Sequence, residues 1–234
     1  MELPVADPSS QLAEDAPSWY VRERALAAVA RNLAPAPFLL LPFTLLVSSL
    51  MQDDLSRSRL GWWILASVAA TGVTLLGLYR YFMVVDGQST PRSTQFLIGF
   101  AFVSLGLYFG MCPWVAGEST VEMVLLLTLL PATASALGCI ITAGRSDLYV
   151  SFLLPVAAIS GWTLIGADDS RLQSLAVLSA FFGAVLLMVH HAASQSSIDA
   201  IRLQWRSARL LRDLAHERGE LTGLNDQLEA TNKR

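Results

Sequence analysis

The sequence predicts an all-α membrane protein: six transmembrane helices, both termini cytoplasmic, and a last helix that continues into a parallel coiled coil. Three observations predict it. Hydrophobic residues make up 53% of the 234 and charged residues only 15%, against a usual charged share of about 25%. The charges are displaced to the ends, since residues 34–192 carry just 14 of the chain's 35. Six stretches also approach the roughly 20 apolar residues that a helix needs to cross the hydrocarbon. This pattern excludes a soluble globule and a disordered chain.

In chain order, residues 1–16 lack a basic segment followed by an apolar one, so they read as a disordered tail and not as a cleaved signal peptide. Residues 17–33 form an expected amphipathic helix on the inner leaflet. There Trp19, Leu26 and Leu33 recur every seven residues with Arg22, Arg24 and Arg31 between them. A plain cytoplasmic extension of the first span is the other reading. Residues 34–192 form the six-helix sensor block. Its spans lie near Ala34–Met51, Leu60–Tyr79, Phe96–Val115, Val121–Ile141, Leu148–Ile165 and Leu172–Ala192. Residues 193–234 form the cytoplasmic helix.

Orientation follows from the basic residues. With both termini inside, 13 of the 16 Lys and Arg residues fall on the inner side; only Arg57, Arg59 and Arg171 are outside. Trp62, Trp63, Trp114 and Trp162 fall near the outer boundary, as an aromatic belt would.

No ionisable residue lies near the middle of any span, and Arg80 is close enough to a helix end to snorkel. That argues against proton relays and many ion-coupled transporters, though a carrier of neutral apolar molecules stays open. The sole lysine, Lys233, lies outside every span, so retinal held as a Schiff base is excluded. Cys112 and Cys139 sit in apolar surroundings without C-x-x-C spacing and read as packing groups. His190 and His191 point about 100° apart on one helix and read as interfacial polar residues, with a haem or copper site across a dimer as the alternative. There is no Walker loop, H-E-x-x-H or G-x-S-x-G motif. We therefore expect no catalytic residue, no metal site and no cofactor in this chain, and a net charge of −3 gives no sign of nucleic-acid binding.

A candidate ligand site does emerge. Pro131 and Pro155 interrupt the fourth and fifth spans, where each frees a backbone carbonyl and can kink its helix. Gly99, Gly106 and Gly110 thin the third span, where the Gly106-x-x-x-Gly110 spacing allows close helix approach, and small residues fill Ala132–Gly138. The result is either close helix packing or an enclosure for an apolar or amphiphilic molecule. Pro131, Pro155, Trp162 and Tyr108 are the candidate ligand-binding residues.

After Ala193 no proline recurs, and charges of both signs mix along a helix-forming composition. Leu211, Leu214, Leu221 and Leu228 fit an a/d register, with Arg218, Asn225 and Asn232 at alternating core positions. A buried Asn at a favours a registered two-stranded coil at a cost in stability. Farther up, Ile198, Ile201, Trp205 and Ala208 form a second seam; joining the two needs three-residue steps at 205–208–211–214 that break the heptad phase. Gly219 and Gly223 weaken the helix by about 1 kcal/mol each relative to alanine. Such a coil is weak glue but suits a switch. The sequence stops at Asn232-Lys233-Arg234 with no cap and no folded domain, which reads as a longer protein cut short.

The run RLLRDLAHERGELTGLNDQLEATNKR resembles the signalling helix that joins polytopic membrane input regions to bacterial output domains, above all in diguanylate cyclases bearing the GGDEF motif. Hybrid sensor histidine kinases use a similar linker. The resemblance covers about the last 34 residues, Ile201 to Arg234, and the six-helix block only in layout. It implies a homodimer in a bacterial inner membrane, responding to an apolar ligand or to the bilayer. It further implies an output domain that uses GTP and Mg to make cyclic di-GMP; the catalytic residues of that domain have no counterpart in this sequence. A kinase input module, a small carrier and a passive dimerising scaffold are the alternatives.

Overall fold

A computed structural model describes residues 16–53, 55–84, 90–116 and 120–232. The expected tail thus lies outside the described residues except for Ala16, as do Lys233 and Arg234. All regular structure among the described residues is helical: α1 (Ser18–Leu33), α2 (Ala36–Leu50), α3 (Arg57–Val84), α4 (Arg92–Gly110), α5 (Cys112–Ala116), α6 (Val121–Ile141), α7 (Ser146–Ile165) and α8 (Ser170–Asn232). Six spans are long and apolar enough to cross a membrane: α1 with α2, α3, α4 with α5, α6, α7 and α8.

Local chemistry sets most boundaries. Pro35 and Pro37 open α2, where a missing N–H costs nothing, while Pro42 lies inside it. Pro91 precedes α4. The third expected span is divided: α4 stops at Gly110 and the chain resumes as α5 after Met111, because Pro113 cannot donate to the preceding turn. Asp169 caps α8 by accepting the Arg171 N–H at 2.7 Å. Gly144, with φ +89°, makes the tight link from α6 to α7, a conformation that a side chain would strain.

Consecutive spans run antiparallel. Trp63, early in α3, stacks on Tyr108, late in α4, with ring centroids 5.5 Å apart. Near the other end, the Gly77 backbone faces Leu97 and Ile98. Alternation makes α4 and α7 parallel, and they form the tightest seam. A Cβ on Gly106 would stand 2.3 Å from the Phe152 carbonyl oxygen, and one on Gly110 would stand 3.0 Å from that of Pro155. The backbones touch because both positions lack side chains, as the G-x-x-x-G spacing predicted.

The expected sixth span and the cytoplasmic segment are one unbroken helix of 63 residues, about 95 Å long at 1.5 Å per residue. It runs through Gly219, Gly223 and the phase break without interruption. We call the end of the bundle from which it projects the base. α1 returns to the same end, where Tyr20 packs on Trp205 with ring centroids 4.5 Å apart and a tilt of 55° between the rings. Large apolar side chains cover the outside of the bundle, among them Phe38, Leu76, Phe96, Leu129, Leu154 and Phe181. Water does not tolerate contiguous apolar surface on this scale, so it marks a surface meant for another medium or partner.

Candidate functional site

The structure disperses the four candidate ligand residues. Pro131 lines a cavity between α6, α7 and α8. Pro155 faces α4 instead, its ring Cγ 3.2 Å from where a Gly106 Cβ would stand. Trp162 points away from the bundle at 84% exposure. Tyr108 is fully buried elsewhere. There its hydroxyl is 2.6 Å from Thr44 Oγ1, which also meets Ser67 Oγ at 2.9 Å and donates to the Leu40 carbonyl at 2.8 Å. This network ties α2, α3 and α4 together, with each bond worth about 0.5–1.5 kcal/mol. It is a structural knot, and none of its residues lines the cavity that Pro131 reaches.

The cavity holds about 470 Å³, within the roughly 300–1,000 Å³ of small-molecule sites. Thr128, Pro131 and Ser135 of α6, Val156 and Ser160 of α7, and Ser179 and Gly183 of α8 contribute to its wall. No charged residue lines it. Along α8 it spans the stretch between two levels of packing contact. Toward the far end Leu172 and Ala176 join the main core. Toward the base, Leu186 packs with Cys139 and Tyr149.

One turn deeper lies a clamp. The His190 ring stacks on Tyr149 with centroids 4.3 Å apart, and its Nδ1–H donates to the Cys139 carbonyl at 3.2 Å. The Tyr149 hydroxyl donates to the Ser135 carbonyl at 3.3 Å. Ser146 Oγ lies 3.4 Å from Ser194 Oγ. His190 is thus buried while its neighbour His191 is exposed, as a 100° turn per residue requires. Beside the clamp, the buried Arg145 pairs with Asp147 through Nε at 2.9 Å and Nη2 at 2.7 Å. Cys112 and Cys139 are buried free thiols. Among the described residues no three His, Cys, Asp or Glu side chains gather as a metal site.

α1 closes the base. Of its seven-residue stripe, Leu26 and Leu33 are buried against protein, while Trp19 stays exposed. Its Glu23 carboxylate accepts the Thr90 backbone N–H at 2.9 Å and the Thr90 hydroxyl, fixing α1 to the start of α4. A Cβ on Gly144 would stand 3.2 Å from that of Ala25, so the α6–α7 link also leans on α1.

The two seams of α8 have separate fates. Ile198, Ile201 and Trp205 are partly covered, and Trp205 meets α1, whereas Ala208, the last member of that seam, is exposed. Leu211, Leu214, Leu221 and Leu228 are all exposed by more than 60% and are left uncovered by the described residues. Leu210 and Leu224 are exposed beside them. The phase break therefore separates a face used within the chain from a face left open.

Of the residues singled out from the sequence, Pro131 lies on the cavity wall and the leucines lie on an exposed face. Sequence reasoning missed the Thr44 network, the Tyr149–His190 stack and Tyr20 on Trp205. A Thr or Ser inside an apolar run gave a weak signal for the first; nothing in the spacing paired the others. No family model, curated protein or solved structure matches this chain.

Proposed function

We propose that the chain is the membrane-embedded sensory input module of a homodimeric bacterial signalling protein. Its six spans sit in the inner membrane with both ends in the cytoplasm. A ligand or membrane signal reaches an output domain through α8, and that domain is a diguanylate cyclase that makes cyclic di-GMP from GTP with Mg.

The observation that carries this reading is α8 itself, a single helix that walls the cavity at one end and presents unpartnered leucines at the other. An isolated exposed helix with that much leucine gains little from solvent and much from a second copy. The basic residues at the base and the resemblance of Ile201–Arg234 to signalling helices support the side and the output.

The open face also suits a two-position switch. Leu214, Leu221 and Leu228 belong to two heptad stripes at once. One adds Leu211, Arg218 and Asn225; the other adds Leu210, Glu217 and Leu224. A small rotation of both helices exchanges one set of flanking residues for the other while the shared leucines stay in contact. The first stripe buries Arg218 and Asn225 and the second Glu217, so neither is a purely apolar seam, which keeps the two within reach of a modest ligand preference.

Sequencing the gene beyond the codon for Arg234 tests the output. A G-G-[DE]-E-F segment is expected. An H-[DE] dimerisation helix would move the output to a histidine kinase, and a stop codon would overturn the input-module reading.

A further inference from the structure

We propose that the cavity between α6, α7 and α8 binds one uncharged, hydroxyl-bearing hydrocarbon molecule drawn from the bilayer. The inference rests on the membrane-spanning reading above and names the ligand class that the sensory reading needs.

Size selects the occupant. On α8 the lining runs from Ala176 to Leu187, about 17 Å of helix. A space of about 470 Å³ drawn out over that length is long and narrow, the shape of one hydrocarbon chain. The contacts of α8 near Leu172 and near His190 close the two ends to anything thicker. Between them Ala157, Ala180, Ala184 and Leu187 are exposed, so the cavity opens sideways, on the face that lipid would cover.

Polarity selects the head group. Three of the four hydroxyls on the wall donate to backbone carbonyls: Thr128 to Val124 at 2.7 Å, Ser135 to Pro131 at 2.7 Å and Ser160 to Gly110 at 3.3 Å. Their oxygens keep lone pairs but have no proton left to give. They suit a ligand that donates, such as a long-chain alcohol, better than a ketone or ester that only accepts. A carboxylate would enter as an unpaired charge in an apolar, uncharged cavity, which is strongly unfavourable.

A molecule seated here presses on α8 one turn above His190, because Leu186 and Leu187 belong to the wall while His190 holds the clamp. Occupancy thereby reaches the helix that carries the open leucines.

The test is photolabelling of the chain in nanodiscs with a diazirine-bearing long-chain alcohol, with labelled sites mapped by mass spectrometry. Labelling should saturate and concentrate in residues 128–135, 153–165 and 176–187. Unlabelled hexadecanol should compete, whereas hexadecane should compete roughly two- to tenfold less well, the worth of one neutral hydrogen bond. Hexadecanoate should compete least. Ala180→Phe, which fills the cavity from an exposed position, should abolish the saturable labelling. Should that variant fail to fold, Ser135→Ala with Ser160→Ala should narrow the gap between alcohol and alkane. Unsaturable labelling spread over Phe38, Phe96 and Leu129, or carboxylate competing as well as alcohol, would overturn the proposal. Particle mass on the same sample reads the dimer separately: specific labelling of a monomer would keep the site and remove the sensory reading.

Discussion

Two regions of the bundle use the same small residues to opposite ends. On the α4–α7 seam, Gly106 and Gly110 let backbones meet, and an added methyl at Gly106 would enter a carbonyl oxygen. Along the cavity, Gly161 and Gly183 meet nothing within 4 Å. Composition cannot distinguish these cases. What differs is the partner: α7 meets α4 backbone to backbone, whereas the cavity leaves Gly161 of α7 and Gly183 of α8 without a neighbour. One small-residue face is a weld and the other is a space.

Breaking the weld should have the largest effect. Gly106→Ala forces α4 and α7 apart and should lower stability by about 1–3 kcal/mol, the usual range for overpacking, read as a fall in thermal midpoint in detergent. Next comes Tyr108→Phe, which leaves Thr44 without its 2.6 Å partner. It should cost about 1 kcal/mol and leave particle mass unchanged. Gly183→Ala is the smallest and has the opposite sign. Its methyl enters open space, and alanine is favoured over glycine in a helix by about 1 kcal/mol, so the thermal midpoint should hold or rise. A drop as deep as that of Gly106→Ala would show that the space is packed in the working protein and erase the contrast between the two regions.

The open leucine face gives a further contrast within α8. Asn225→Leu strengthens one heptad stripe and Glu217→Leu the other, so under the proposed function the two should shift cellular cyclic di-GMP in opposite directions. Equal shifts in one direction would reduce the two-stripe switch to simple tightening of a dimer.

Much of the fold was legible in the sequence because hydropathy records length. The fourth expected span, Val121–Ile141, coincides with α6, and the Gly106–Gly110 spacing marked a true close approach. Facing was not legible. In helices apolar on every side, no polar stripe reports which side meets protein. Trp162 and Tyr108 therefore looked alike in the sequence, yet one is exposed and the other sealed. Pro131 and Pro155 were equivalent as helix interruptions, but only Pro131 reaches the cavity. The clamp was hidden for a different reason: His190 finds a carbonyl 51 residues away, and backbone acceptors leave no mark in a side-chain pattern. The phase break at 205–214 was visible, but its meaning was not. Two partners for two faces explain it better than one interrupted coil.

Pairing of α8 with a second copy is the central claim, and cysteine cross-linking tests it most directly. In a background with Cys112 and Cys139 replaced by alanine, single cysteines would be placed at Leu214, Leu221, Leu228 and at the flanking Asp213, Glu220 and Gln227, and the chain oxidised in nanodiscs. Parallel pairing brings identical residues together, so the three leucine positions should cross-link quickly to a covalent dimer and the three flanking positions slowly. Monomer at every position, or no difference between the two sets, would contradict the account.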